Sequence, residues 1–119
     1  MKGLSKTEIM IMKSIWHMDG EITAVKVLED LHTNFNLEID KKTLGTLLYR
    51  LETKGYLQSK PRGRRNYYTF LISEKEMKKR EIKNMLFWWF ENSVPDLVST
   101  LSDVEGDLEW SEKDTEDNE

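Results

Sequence analysis

The sequence contains no cysteine, and this absence removes two kinds of chemistry. Without thiols the chain can form neither disulfide bonds nor thiolate metal sites. Histidine is scarce as well. The two histidines, His17 and His32, fall in separate predicted helices, and neither has acidic neighbours in a metal-binding pattern. We therefore expect no metal ion and no other cofactor.

Long apolar runs are also missing. No stretch approaches the roughly 20 apolar residues of a membrane-spanning helix, and the N-terminus lacks the apolar core of a signal peptide. The predicted location is therefore the cytoplasm. A chain of 119 residues, 38% hydrophobic and 34% charged, has room for one compact domain and a short accessory segment.

Acidic residues are nearly absent from the middle of the chain, although the net charge is −4. Between Lys41 and Arg65 eight positive residues face only Glu52, whereas from Asp103 onwards nine acidic residues face only Lys113. The net charge is therefore +7 in the first of these segments and −8 in the second, although the total is small. A basic centre of this kind suits a polyanion such as nucleic acid, from which an acidic tail is excluded.

Two helices are predicted before the basic segment. Ser5 and Glu8 have the spacing of a capping box, and the apolar period that follows predicts a helix ending at Asp19-Gly20. Thr23 can cap a second helix with an apolar stripe, followed by a loop from Asn34 to Ile39. The stripe consists of Val27, Leu28 and Leu31.

A third helix is predicted from its cap at Asp40 to Lys54, with Gly55 placed to end it. Four leucines share its inner side: Leu44, Leu47, Leu48 and Leu51. The opposite side is polar and carries Lys42, Gly45, Thr46, Tyr49 and Thr53, with Arg50 at its margin. Such a surface is either an ordinary solvated helix face or a surface that contacts DNA.

A β-hairpin is predicted next. Two β-prone runs, 56–60 and 65–71, flank the turn-forming stretch Pro61-Arg62-Gly63-Arg64. A basic hairpin tip can simply protect a sheet edge. However, three helices followed by a hairpin, with positive charge on the third helix and the tip, is the order of a winged helix-turn-helix. In that fold the third helix enters the major groove and the wing lies along the backbone or in the minor groove. The predicted fold class is mostly α with a small β-hairpin.

The C-terminal part begins at a second capping box, Ser73 and Glu76, and its helix ends in six consecutive apolar residues from Met85 to Phe90. They cover every side of a helix, which favours burial against a second chain. The alternative is packing against the next helix, which carries Leu97, Val98 and Leu101. The predicted divisions are a DNA-binding domain at 1–72, a dimerisation segment at 73–102, and a disordered acidic tail at 103–119.

Several stretches between residues 4 and 101 carry a family resemblance. They are Leu4-Ser5-Lys6-Thr7-Glu8 to Ile15-Trp16, Lys42-Thr43-Leu44-Gly45-Thr46-Leu47-Leu48-Tyr49-Arg50-Leu51, Lys54-Gly55-Tyr56-Leu57, and Gly63-Arg64-Arg65-Asn66-Tyr67-Tyr68 to Leu71-Ile72-Ser73. The chain resembles the penicillinase and methicillin-resistance repressors (BlaI and MecI, with the copper-responsive CopY relatives). The run K-T-x-x-T-L-L-x-R-L followed by K-G is its most specific part.

This resemblance implies a homodimeric transcriptional repressor that binds a dyad-symmetric operator. It places Lys42, Thr43, Thr46 and Arg50 on the recognition helix, and Arg64 and Tyr67 on the wing. Together with the charge pattern, the predicted DNA-binding residues are Lys41, Lys42, Thr43, Thr46, Tyr49, Arg50, Arg62, Arg64, Arg65 and Tyr67. The predicted dimerisation residues are Met85, Leu86, Trp88, Trp89, Phe90, Leu97 and Leu101.

The chain departs from the family pattern in two ways. The C-terminal cysteine motif of the copper-responsive members is absent, which excludes metal sensing through thiolates. The β-lactam-responsive members are cleaved at an Asn-Phe bond in the dimerisation region, where this chain has Leu97-Val98-Ser99-Thr100-Leu101. Its only Asn-Phe is Asn34-Phe35. Whether a membrane sensor-protease is a further partner of this chain is therefore left open by the sequence.

Two other functions compete with a repressor. A winged helix can serve as a protein-interaction module whose basic face binds an acidic partner, and the salt dependence of duplex binding separates the two. An enzyme finds little support, because the sequence shows no nucleophile–base pair and no phosphate-binding glycine loop.

Overall fold

A computed structural model describes residues 3–117, with side chains as far as Leu108. The elements in chain order are α1 (Lys6–Trp16), α2 (Ala24–Phe35), α3 (Lys41–Thr53), β1 (Leu57–Arg62), β2 (Arg65–Phe70), α4 (Glu74–Phe90) and α5 (Val94–Asp117). Within these residues the chain is mostly helical with one β-hairpin, which confirms the predicted fold class. It forms two compact units, which we call the first unit (Met1–Met77) and the second unit (Lys78–Glu119).

The first three helices begin at the predicted caps. The Ser5 hydroxyl accepts from the Glu8 amide at 3.2 Å, and the Glu8 carboxylate accepts from the Ser5 amide at 2.9 Å. The Thr23 hydroxyl starts α2 in the same way, and the Asp40 carboxylate accepts from the Thr43 amide at 2.6 Å. Each cap satisfies amides that have no partner inside the helix, which fixes where the helix begins.

The ends of the helices agree less closely with the predictions from the sequence. The first helix ends at Trp16, before the predicted Asp19-Gly20. The second runs to Phe35, although a loop is predicted from Asn34, because Asn36 is the residue that takes a left-handed conformation (φ 51°) and ends the helix. Gly55 (φ 91°) follows α3 as predicted.

The core of the first unit lies between the three helices and the base of the hairpin. The inner leucines of α3 that are fully buried are Leu44, Leu48 and Leu51, whereas Leu47 is only half-buried. They pack with a cluster made of Ile11, Met12, Ile15, Ile22, Val27, Leu31, Tyr56, Leu57, Ile72 and Met77. Burial of this apolar surface is the main favourable term for folding, and it leaves the opposite side of α3 in solvent.

The hairpin is antiparallel, with Leu57 paired to Phe70 at its base and Arg62 paired to Arg65 at its tip. A two-residue turn closes it, and Gly63 (φ 66°) occupies the left-handed position there. The Tyr68 amide donates to the Ile22 carbonyl at 2.9 Å, and the Leu71 amide donates to the Tyr56 carbonyl at 2.8 Å. The hairpin is therefore fixed to the rest of the first unit at its base.

The first unit extends into α4, beyond the predicted boundary at Ile72. Glu74 forms ion pairs with Lys13 and with His17 Nε2, the latter at 2.8 Å, and Met77 is buried in the core. The Trp16 indole donates to the Ile72 carbonyl at 2.9 Å. Because these contacts join the first turn of α4 to α1, the compact first unit continues to Met77.

The second unit contains the rest of α4 and all of α5. Glu91 and Asn92 both take positive φ angles (50° and 64°) between the two helices, and the Ser93 hydroxyl caps α5 by accepting from the Asp96 amide at 3.2 Å. The helix then continues to Asp117. This corrects the expectation of disorder from residue 103, as far as the described residues extend. Apolar residues alternate at spacings of three and four, a helical period, at Val94, Leu97, Leu101, Val104 and Leu108.

Candidate nucleic-acid interface

The outer face of α3 follows from the burial of its inner face. Since the leucines point inward, residues on the other side of the helix project into solvent. Tyr49 is the largest of them, with 69% of its surface exposed. The predicted DNA-binding residues of this helix are all exposed: Lys41, Lys42, Thr43, Thr46, Tyr49 and Arg50. The structure therefore brings this part of the prediction together on one surface.

Lys54, at the end of α3, is not part of that surface. Its ammonium donates to both carboxylate oxygens of Glu8 at 2.8 Å and to the Gly3 carbonyl at 3.3 Å. Burial raises the pKa of Glu8, but the hydrogen bonds from Lys54 and Ser5 outweigh it, and the pKa lies below its ordinary value. Glu8 therefore stays ionised, and the pair ties the end of α3 to the start of α1.

The hairpin tip carries two of the predicted arginines into solvent. Arg64 lies in the turn and Arg65 begins β2, and both are exposed. Neither forms an ion pair with the described residues. A guanidinium in this position can donate to phosphate oxygens in a planar, bidentate manner.

Arg62 and Tyr67 lie on the two facing strands of the hairpin and contact each other. The Arg62 guanidinium lies 4.0 Å from the centre of the Tyr67 ring and donates to the Glu21 carboxylate at 2.5 Å. The bond to Glu21, and a further one to Tyr67, raise the pKa of Arg62. Glu21 compensates the charge of this arginine, so the structure separates Arg62 and Tyr67 from the free arginines of the tip.

Glu52, the one acidic residue between Lys41 and Arg65, has a structural role that the sequence does not reveal. Its carboxylate accepts from the Ser59 amide at 2.9 Å and from the Ser59 hydroxyl at 2.6 Å. The two bonds join the last turns of α3 to β1. The acid of the basic segment therefore ties α3 to the hairpin and lies on the hairpin side of α3, off the centre of its outer face.

A cleft of about 410 Å³ separates the hairpin tip from the starts of α2 and α3. Lys41 lines it from α3, and Arg64 and Arg65 line it from the hairpin. The remaining lining residues are Thr23, Ala24, Val25, Asn66 and Tyr68. Positive charges that are far apart in the sequence thus converge on one concave surface.

The first turn of α2 is a part of this surface that the sequence analysis missed. The N-terminal end of a helix carries partial positive charge, and α2 has no acidic residue in its first turn to cancel it. The absence of acidic residues directly after the cap residue Thr23 is the signal in the sequence from which this part of the surface could have been predicted.

Six of the eight cations between Lys41 and Arg65 make no ion pair with any described residue, since Lys54 and Arg62 are the two that do. The six are Lys41, Lys42, Arg50, Lys60, Arg64 and Arg65. Over the same described residues, no group of three or more histidine or acidic side chains could hold a metal ion. No helix in that part of the chain is long and apolar enough to cross a membrane.

The predicted dimerisation residues lie in the second unit and fall into two groups. Trp88 and Trp89 are 75% and 81% exposed, and Met85 and Leu101 are exposed as well. Leu86 and Phe90 are half-buried and Leu97 is buried. The Phe87 ring, which the prediction omitted, is exposed and packs edge-on against Trp88 with ring centres 4.9 Å apart.

A three-helix core, a third helix with a free basic face and a basic hairpin define a winged-helix DNA-binding protein. The family model described as penicillinase repressor matches residues 4–117. The chain therefore belongs to the penicillinase repressor family, whose members are DNA-binding regulators of transcription, and it is a DNA-binding repressor.

One solved structure contains a similar chain in complex with DNA. It is the solution structure of the Bacillus licheniformis BlaI monomeric form in complex with the blaP half-operator. That protein is 32% identical, with a TM-score of 0.50, and the match covers 63% of this chain and 88% of the other. A comparison with curated protein sequences finds no match.

Proposed function

We propose that this protein is a homodimeric repressor that binds a dyad-symmetric operator through α3 and the hairpin tip. One observation carries the proposal: Lys41 of α3 and Arg64 and Arg65 of the hairpin converge on one cleft beside the outer face of α3. A duplex fits this arrangement, because a helix in the major groove needs cations on the flanking phosphates.

The residues divide by the chemistry they can offer. Lys42 and Thr46 stand in the middle of the outer face and Arg50 at its margin, where hydrogen-bonding groups can reach base edges. Lys41, Arg64 and Arg65 border the cleft and suit phosphates, which position the protein without reading sequence. Arg62 and Tyr67 hold the hairpin in place through Glu21 and their own stacking.

Two copies are needed for a full operator. The structure of the similar BlaI chain is that of a monomeric form in complex with a half-operator. By analogy, one copy of this chain covers one half-site, and a second copy covers the other. The exposed apolar residues of the second unit, above all Trp88 and Trp89, are the surface that would join the copies.

The test is a salt titration of duplex binding with a double variant. Arg64→Gln combined with Arg65→Gln should weaken binding to every duplex similarly and flatten the slope of log K against log salt by up to about two units. Lys75→Gln combined with Lys79→Gln removes the same charge from exposed positions of α4 and serves as the control.

The two variants separate the outcomes. Equal losses in both pairs would show that only net charge matters and would remove the hairpin tip from the interface. Weak, salt-independent binding of the unchanged protein to any duplex would instead support a protein-interaction module and contradict the proposal.

A further inference from the structure

Gly45 lies in the middle of α3, where glycine is costly. Apart from proline, it is the least favourable residue in a helix interior, because it loses the most backbone freedom on folding. Its backbone does not require glycine, since Gly45 is absent from the positions with positive φ (Gly20, Gly55 and Gly63).

Packing within the chain does not require glycine either. A Cβ atom added at Gly45 would meet no described atom within 4 Å, and the position is exposed. An alanine would therefore fit without displacing any neighbour and would favour the helix. A residue that costs stability and serves no contact of its own chain suggests a requirement from a partner.

The position of Gly45 on the helix indicates the partner. At about 100° per residue, Lys41, Gly45 and Glu52 lie within about 40° of one another around the axis. Lys41 lines the cleft with the tip arginines, and Glu52 is bonded to Ser59 of the hairpin. Gly45 thus lies on the strip of α3 that faces the hairpin, one turn after Lys41.

We propose that Gly45 is a DNA-contact position, at which the missing side chain lets the sugar–phosphate backbone approach the main chain of α3 closely. The inference rests on the proposed function. In a duplex held by α3 and the hairpin, one strand passes between these two elements. A Cβ atom at this point would hold that strand away from Lys41 and the tip arginines. These cations can approach the phosphates closely only if no side chain projects from α3 at this position.

The experiment measures stability and affinity together in Gly45→Ala and Gly45→Leu, both good helix formers. The probes are a duplex enriched from a random-sequence pool by the unchanged protein and an unselected duplex of equal length. The thermal midpoint of Gly45→Ala should rise by about 4–8 °C, because helix propensity improves in a small unit. Affinity for the selected duplex should fall by about tenfold for alanine and about a hundredfold for leucine. A tenfold loss of affinity corresponds to the loss of about one contact.

Gly106→Ala is the matched control. Gly106 also lies inside a helix, and a Cβ atom there meets no described atom within 4 Å. It should leave DNA affinity unchanged. A rise in stability with a fall in affinity, confined to Gly45, supports the inference, because a purely structural role would move both quantities in the same direction.

Three results would overturn it. One is that both Gly45 variants bind the selected duplex as tightly as the unchanged protein. Another is that Gly45→Ala lowers the thermal midpoint, which would show that the chain itself needs the glycine. The third is an equal affinity loss in Gly106→Ala. If the unchanged protein selects no duplex and shows no salt-dependent binding, the proposed function itself fails. The binding measurement on the unchanged protein shows this before any variant is made.

Discussion

The two units treat their apolar residues in opposite ways. The first unit buries its large aliphatic side chains, with Ile11, Leu31 and Leu48 fully inaccessible, and leaves a polar, basic surface outside. The second unit leaves most of its large apolar side chains in solvent, including both tryptophans of α4. Exposed apolar patches of this size are unfavourable in a monomer. The contrast teaches that the first unit buries its apolar surface within one chain, whereas the apolar surface of the second would be covered only in the proposed dimer.

Removing the second unit should have the largest effect. A chain that ends at Ile82 keeps the whole first unit and should fold as a monomer. Its affinity for a two-half-site duplex should fall by about 10²- to 10⁴-fold, because the second domain is no longer held at high local concentration. Analytical ultracentrifugation and a binding titration measure the two effects. A truncated chain that still sediments as a dimer and binds tightly would contradict the assignment of the partner surface.

A single charge in the apolar surface should act nearly as strongly. Trp89→Asp places a carboxylate among exposed aromatic side chains, where burial against a second chain would strip its water. We expect the dimer to dissociate and the operator affinity to fall by about a hundredfold, since linkage is lost. Lys83→Gln changes the net charge by the same amount at an exposed polar position and should keep the dimer in sedimentation. Dissociation of both variants would indicate a general charge effect.

A change on the outer face of α3 should be smaller and leave stability intact. Thr46 is exposed, and its hydroxyl donates to the Lys42 carbonyl of its own helix at 3.2 Å. Thr46→Ala should reduce discrimination between selected and random duplexes by about 1 kcal/mol, while the free energy of unfolding stays within about 0.5 kcal/mol. Thr46→Ser keeps the hydroxyl and tells whether that group or the methyl is read. Equal losses on both duplexes would make Thr46 a positioning residue.

An effect of similar size, on stability alone, concerns the boundary between the units. The hydrogen bonds from Lys13 and His17 lower the pKa of Glu74 from 4.5 to about 2. Glu74 therefore stabilises the fold at neutral pH, and this contribution is lost as the pH falls from about 4.5 to about 2. Glu74→Gln should cost about 1 kcal/mol at pH 7 and nothing near pH 2, whereas Glu81→Gln should cost nothing at either pH.

Denaturant unfolding of the full chain and of the chain ending at Ile82 checks this. The same loss in both chains would place Glu74 in the first unit. A loss seen only in the full chain would move the boundary back toward Ile72.

Local signals made much of the first unit predictable. Ser5, Thr23 and Asp40 cap helices through bonds that span three residues, so the pattern and the contact lie in the same short stretch. The pairs Glu8–Lys54 and Glu21–Arg62 join residues that are far apart in the sequence, and no local pattern reports them. For this reason the sequence does not reveal that Lys54 and Arg62 are paired and that the other six cations of the basic segment are paired with no described residue.

The second unit was less predictable for a different reason. The acidic composition after residue 103 suggested a disordered tail, although Val104 and Leu108 continue the apolar spacing of α5. Composition averages over a segment, whereas a helix needs only a stripe of apolar residues. The ten predicted DNA-contact residues and the seven predicted dimerisation residues stay predictions, now with defined positions.

The third helix, α3, is held at both ends in the free protein, by the Asp40 cap at its start and by the Lys54–Glu8 pair at its end. A helix fixed in this way does not have to fold when it meets its target. Coupled folding would add a large negative heat-capacity change to the association, beyond that of the contact surface. The heat capacity of binding should therefore reflect the buried contact area alone, and calorimetry on a single half-site would read the interface directly.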